Sequence, residues 1–262
     1  MSYETLTLEQ KDGVAHLKLN RPKAANAIDL QMGKDLMHAS IALDEDRSVR
    51  AVVIGAEGKM FCAGGDLASF ADSGDKMGGL LKELTTYLHA AISRFARMRA
   101  PVIAAVNGTA AGAGFSMMCA TDLAIAAESA KFTMAYTGVG LSPDGSSSYY
   151  LPRLIGTRRT LELMLTNRRL SAAEALEWGL VSRVVPGDQL PAAAQELAAQ
   201  MAGGPTKAFG GAKRLLLSAY SGTLETQLED ESASITKQVK DHDGREGIEA
   251  FAARRKPEFK GR

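Results

Sequence analysis

Cysteine is nearly absent from the 262-residue chain, which carries only Cys62 and Cys119. Two thiols make neither a disulfide framework nor a metal-ligand cluster, and they suit a reducing compartment. The histidines His16, His38, His89 and His242 lack metal-ligand spacing, so no metal is expected. No sign of charge dominates either, because 31 basic residues face 30 acidic ones and leave a formal charge of +1. That balance gives no global field to hold nucleic acid or an anionic membrane surface. Aromatic residues are scarce, at 6% of the chain with Trp178 the single tryptophan, although 45% of the residues are hydrophobic. Alanine and valine carry much of that content, which points to a core dense in backbone rather than packed with rings. A basic-then-apolar leader is also missing, since Met1–Gln10 alternates polar and apolar residues. A soluble, cytoplasmic protein is expected.

One stretch tests the membrane question. The 22 residues between Arg99 and Asp122 carry no charge, a length that would span a bilayer. They include Pro101, Asn107, Gly108, Gly112 and Gly114, and much of the rest is Ala, Ser or Thr. Such residues contribute little transfer energy, and Asn-Gly is a turn signal. The stretch therefore reads as a buried strand, Val102–Val106, a tight turn and a buried helix opening near Ala113.

The remaining periodicity predicts an α/β fold. Thr5–Gln10 and Val14–Leu19 alternate around Lys11-Asp12-Gly13 and read as a hairpin. A helix is expected from Asp29, its N-cap, to Leu43, then a strand over Val49–Gly55. Leu80, Leu84, Leu88, Ile92 and Phe95 hold helical spacing within a long helix from Lys76 to Arg99. Short strands are expected at Ala124–Ala127, Lys131–Met134 and Val181–Val185, where Trp178 is expected to pack. Ser171 and Glu174 form a capping box, and Gly179 ends that helix. From Leu190 onward the pattern is helical, which divides the chain into a core, 1–195, and a helical C-terminal segment, 196–262.

Two segments share one design, an apolar strand running into small residues and then a helix. They are Met60-Phe61-Cys62-Ala63-Gly64-Gly65-Asp66-Leu67 and Val106-Asn107-Gly108-Thr109-Ala110-Ala111-Gly112-Ala113-Gly114-Phe115. Small residues let a ligand approach the backbone, and helix N-termini present free N–H groups. Two such turns can aim two donors at one developing oxyanion, although glycines also serve simple close packing. No phosphate-binding Gly-x-x-x-x-Gly-Lys-Ser/Thr occurs, and Ser146-Ser147-Ser148 has no nucleophile-elbow context.

These segments, with Asn20-Arg21-Pro22, Pro101–Gly108, Asp122, Trp178-Gly179-Leu180-Val181 and Arg254-Arg255-Lys256, resemble the crotonase (enoyl-CoA hydratase/isomerase) superfamily. The resemblance covers essentially the whole chain. It implies a crotonase-like spiral of ββα units, a helical C-terminal trimerisation segment, homotrimers or hexamers, and an acyl-CoA thioester substrate. No separate cofactor is implied, because coenzyme A enters as part of the substrate. Carried over by position, the backbone N–H groups of Ala63 and Ala113 form the oxyanion hole. Lys23, Ala24, Ala25, Asp66 and Leu67 fall where relatives cradle coenzyme A, and Arg254 and Lys256 where its phosphates are reached.

The carboxylates then choose the chemistry. Relatives that hydrate use two glutamates, and those positions hold Ser116 and Tyr136 here. Neither side chain is an acid–base group near neutral pH, since a phenol titrates at about 10. Asp144, in Leu141-Ser142-Pro143-Asp144-Gly145, is the remaining acid–base candidate, although Pro-Asp-Gly is also ordinary turn and N-cap chemistry. The resemblance places the single carboxylate of certain enoyl-CoA isomerases at this position. Phe61, His89, Ser116, Met117, Met134 and Tyr136 are expected to line the acyl pocket around it. Halobenzoyl-CoA dehalogenases also resemble the chain, with an aspartate nucleophile at Asp144 and a histidine at His89. Their tryptophan, however, is Tyr136 here, and the aromatic beside the histidine is Leu88. Isomerase ranks first, dehalogenase-like hydrolysis second and hydratase third, with a non-catalytic acyl-CoA binder as the alternative of another class.

Overall fold

The computed structural model describes Ser2–Arg262, so Met1 of the expected N-terminal segment lies outside the described residues. Strands β1 (Leu6–Lys11) and β2 (Val14–Leu19) pair antiparallel with Lys11 opposite Val14. Between them Asp12 and Gly13 take φ values of 51° and 79°, the left-handed pair whose twist matches a hairpin. Helix α1 (Leu30–Glu45) starts at Asp29, whose carboxylate accepts the Met32 N–H at 2.8 Å. There follow β3 (Ala51–Ala56), α2 (Leu67–Asp72), α3 (Met77–Arg97), β4 (Val102–Val106), β5 (Ala110–Ala111) and α4 (Ala113–Cys119). Next come β6 (Leu123–Ala127), β7 (Lys131–Thr133), α5 (Ser147–Thr166), β8 (Leu170–Ser171), α6 (Ala172–Glu177) and β9 (Arg183–Val185). Helices α7 (Leu190–Ala202), α8 (Thr206–Ser218), α9 (Leu224–Gln238) and α10 (His242–Ala252) complete the chain.

The larger sheet runs β1-β2-β3-β4-β6-β9 and is parallel from β2 onward; the smaller runs β5-β7-β8. On leaving β2, β3, β4 and β6 the chain adds a short extended segment and then a helix. These segments stack: Ile28 bridges Gly65, Cys62 bridges Ala110, and β5 pairs with β7, all in parallel. That stacking is the expected spiral of ββα units. Because helices cover both faces, β4 is buried at every residue and has no polar face, as parallel strands require. The 22-residue uncharged stretch is thus interior, and among the described residues no helix is long and apolar enough to cross a membrane.

Small side chains let α7 lie close to the sheet. Its Leu190, Ala193, Ala194, Ala198 and Ala202 bury against Ala51, Val53, Ile103, Ala105 and Ile125. The expected boundary at residue 195 falls within this continuous helix, so the core extends to Ala202. Helix α8 is tied to that core by Lys213, whose ammonium lies 2.6 Å from Asp122 and donates to the Phe95 and Ala100 carbonyls. Asp122 also accepts the Val102 N–H at 2.7 Å. Trp178 lies half-buried against the main core beside Val184, with the guanidinium groups of Arg159 and Arg168 over its ring. The capping box forms with both of its hydrogen bonds, and Gly179 follows at φ 78°.

Candidate active site

The two small-residue turns meet back to back at the exit of β3 and β4. Ala111 N–H donates to the Cys62 carbonyl at 2.8 Å, and Cys62 N–H to the Thr109 carbonyl at 3.1 Å. Gly64, at φ 99°, faces the other turn directly: a Cβ there would stand 3.1 Å from Ala111 O and 3.5 Å from Ala113 N. Only glycine permits that approach with that backbone. Ala113 is the first residue of α4, so its N–H has no acceptor within the helix.

Ala63 does not supply the second donor, which corrects the sequence expectation. Its N–H is taken by the Ala25 carbonyl at 3.0 Å, in a loop where Ala25 itself is left-handed at φ 52°. The strand-like bridge to Ile28 explains which amide is left over. Ile28 N–H donates to Gly64 O at 2.7 Å, and Asp66 N–H donates to Ile28 O at 3.0 Å. The peptide between them turns its N–H the other way, and among the described residues the Gly65 N–H meets no acceptor. Gly65 and Ala113 both line one cavity of about 330 Å³. Alternation of peptide direction along the bridge decides this, and no residue type announces it in the sequence.

The cavity is apolar on most sides. Leu81, Leu84, Thr85 and Leu88 present one face of α3, Leu67 and Phe70 come from α2, and Val139 and Leu141 close the rim. Asp144 is its only carboxylate among the described residues. One carboxylate oxygen, Oδ1, lies 2.8 Å from His89 Nε2. The side chain does not cap α5: Ser146 holds the N-cap position, and Asp144 meets the helix only through its carbonyl, which accepts from Ser147 Oγ at 3.0 Å. The N-cap alternative is thereby removed.

Tyr136 lines the cavity beside Gly112 and Asp144. Its hydroxyl donates to the Asp144 carbonyl at 3.1 Å and lies 3.1 Å from Ser116 Oγ. Burial pushes this phenol well above its ordinary range, so it stays neutral. Ser116 is fully buried behind the ring. Further expectations are corrected: Phe61, Ser116, Met117 and Met134 are buried at 0–2% exposure and do not line the cavity, and His89 reaches it only through Asp144. Phe61 and Met134 flank short extended segments whose side chains alternate, and the core takes them. Cys62 lies near the turns, but burial pushes its thiol up to about 12, which leaves it inert as a nucleophile.

The residues expected to hold coenzyme A divide. Lys23 is exposed and Ala24 and Ala25 half-buried on the loop after β2, while Leu67 lies half-exposed at the cavity wall. Asp66 is already engaged, capping α2 through Ser69 N–H at 3.2 Å and pairing with Arg21 at 3.0 Å. Its carboxylate is a structural group. Arg254 and Lys256 follow α10, and the tail beyond them is fastened at the entry of β3, where Arg50 donates to Phe259 O at 3.0 Å. That is the opposite end of the strand from the cavity, and no residue beyond Asp144 lines it. Within one chain, then, these two cations do not join Lys23. Among the described residues no group of His, Cys, Asp or Glu side chains is arranged to hold a metal ion.

The sequence and the fold match a known family. The model of enoyl-CoA hydratase/isomerase proteins matches residues 9–262. The chain belongs to that family. It is 38% identical over 251 residues to the 1,2-epoxyphenylacetyl-CoA isomerase of Escherichia coli, covering 95% of this chain and 96% of the relative. It is 37% identical over 235 residues to the 4-chlorobenzoyl coenzyme A dehalogenase-2 of an Arthrobacter species, covering 89% and 85%. The crystal structure of an enoyl-CoA hydratase from a Polaromonas species superposes with a TM-score of 0.92 at 33% identity, over 97% of this chain and 99% of that one. The protein is accordingly an acyl-CoA enzyme of the crotonase superfamily.

Proposed function

We propose that the protein is an enoyl-CoA double-bond isomerase that uses Asp144 as its acid–base group. The observation that carries this reading is that, among the described residues, Asp144 is the sole carboxylate on a cavity that also receives two unengaged amides. In the proposed reaction a 3-enoyl thioester places its carbonyl oxygen between the Gly65 and Ala113 N–H groups. Asp144 takes a proton from C2, and the electron pair delocalises onto the thioester oxygen as a dienolate. The same proton is returned to C4, the double bond moves to C2–C3, and the carboxylate is restored. One carboxylate suffices because the step consumes and releases no proton. Hydration, in contrast, needs a second group to activate water, and the neutral, hydrogen-bonded Tyr136 and Ser116 offer none.

A second reading rests on the His89–Asp144 contact at 2.8 Å. In it an Asp144 carboxylate oxygen adds to the halogen-bearing ring carbon of an aryl thioester, the carbon–halogen bond breaks and halide leaves. Water deprotonated by His89 then cleaves the resulting ester to a hydroxyaryl thioester and free Asp144. Tyr136 and Leu88 disfavour it, because Leu88 adds no ring to clasp an aryl group. Coenzyme A is proposed to lie along Lys23, Ala24, Ala25 and Leu67. A homotrimer, or a dimer of trimers, would allow Arg254 and Lys256 of another copy to approach, and the exposed Leu216, Leu224, Leu228 and Ile235 support such contacts. A cytoplasmic location completes the proposal.

The test is incubation with 3-hexenoyl-CoA in deuterated water. Formation of 2-hexenoyl-CoA supports the isomerase, and Asp144→Asn should lower its turnover by about 10²–10⁴-fold while acyl-CoA binding persists. Accumulation of 3-hydroxyhexanoyl-CoA, or an Asp144→Asn variant as fast as the native enzyme, would sink the reading.

A further inference from the structure

His89 stands between two cavities. Asp144 lines the first, and His89 lines a second of about 380 Å³ together with Ser93, Arg97, Ser146 and Tyr149. The bond from His89 Nε2 to Asp144 Oδ1 is the only hydrogen bond to that carboxylate among the described residues. Packing does little to fix the side chain, which is 34% exposed and follows an exposed Leu141-Ser142 rim. The loop's main chain is braced separately, by the Tyr136 hydroxyl on the Asp144 carbonyl. His89 thus holds the carboxylate at Oδ1 and leaves Oδ2 without a hydrogen-bond partner among the described residues.

The second cavity is polar where it approaches the pair. Ser146 Oγ is buried there without a partner among the described residues, Ser93 and Arg97 are exposed, and the His89 side chain is 51% exposed. His89 therefore stands between this open cavity and the carboxylate, 2.8 Å from Oδ1. We infer that His89 is a positioning residue that keeps the transferred proton on Asp144 Oδ2, shielded from solvent exchange, between its removal from C2 and its delivery to C4. This rests on the isomerase reading. The His89 Nε2–H stays on nitrogen throughout; the only bonds that change are C2–H, Oδ2–H and C4–H, so protons and electron pairs balance within substrate and Asp144.

The experiment uses 3-hexenoyl-CoA carrying two deuterons at C2, in ordinary water, with mass spectrometry of the fraction of 2-hexenoyl-CoA labelled at C4. The native enzyme should return most of the label. His89→Ala should lose nearly all of it and lower kcat by about 100-fold, the scale of an ångström-level misplacement, with KM changed less than twofold. His89→Gln, which restores a donor and most of the bulk, should recover label return. Equal label return in His89→Ala and native enzyme overturns the inference, whether or not kcat falls. Loss of label return in the native enzyme itself also overturns it. Absence of any 2-hexenoyl-CoA from the native enzyme instead overturns the isomerase reading beneath it.

Discussion

Replacing Gly64 by alanine tests the two-turn site at its tightest point. Two costs arise. The residue sits at φ 99°, which an L side chain adopts poorly, and its new methyl would stand 3.1 Å from the Ala111 carbonyl oxygen. That oxygen cannot retreat freely, since β5 is paired with β7 and the Ala111 N–H is held by Cys62 O at 2.8 Å. Backbone strain and overpacking together predict a loss of about 2–4 kcal/mol. The same methyl is 3.5 Å from Ala113 N, so relief of the clash moves the two amides apart. Misplacing one oxyanion donor should lower kcat by about 10²–10³-fold, with a smaller change in KM. Urea denaturation measures the first effect, and steady-state turnover of 3-hexenoyl-CoA, at a temperature where the variant remains folded, measures the second. A variant with native stability and native kcat would refute the claim that Gly64 sets the spacing. Full stability loss with unchanged kcat would detach the donors from it.

Lys213→Met removes the cation from a pair in which burial already raises the Asp122 carboxyl and lowers the Lys213 ammonium. Leaving Asp122, whose side chain is 24% exposed, without its cation should cost about 1–3 kcal/mol, read as a fall in urea midpoint; an unchanged midpoint would show that water rescues the carboxylate. Asp35→Ala deprives the Glu4 and Thr5 N–H groups of their acceptor at 2.9–3.0 Å, and hydrogen exchange at Glu4 and Thr5 should accelerate ahead of the rest of the sheet. Glu174 is held down to about 2 by the Ser171 N–H and Arg168, against an ordinary 4.5. Its contribution to stability is therefore complete above about pH 4.5 and is lost as pH falls toward about 2. Glu174→Gln should be less stable than the native protein at pH 6, the gap closing by pH 2.5 in parallel melts.

Local signals carried most of the fold into the sequence. Asp29, Asp12-Gly13, Pro101 and the Ser171–Glu174 box mark ends of elements by chemistry that acts within a few residues, and the elements begin or end beside them. The small-residue turns and Asp144, which the fold brings to one cavity, were legible because side-chain identity marks them. What stayed hidden depends on direction rather than identity. Whether the Ala63 or the Gly65 amide faces the cavity is set by a carbonyl some forty residues away, at Ala25. Whether Phe61 meets ligand or core depends on the phase of a two-residue alternation. The end of the core was misplaced for another reason: α7 is as alanine-rich as the helix pattern before it, and only contact with the sheet shows that it belongs inside.

The bridge between Cys62 and Ala110 bears on how such a site changes over time. Neighbouring extended segments lie about 4.8 Å apart whatever side chains they bear. A pair of amides mounted on adjacent layers of the spiral therefore inherits its separation from main-chain pairing. The side chains of Ser116 and Tyr136 take no part in that pairing: their hydroxyls approach each other and bond the Gly112 and Asp144 carbonyls. On the proposed reading the anchor for the thioester and the choice of reaction are therefore separately mutable, and a single scaffold can change what it does to an acyl group while continuing to grip it in the same way.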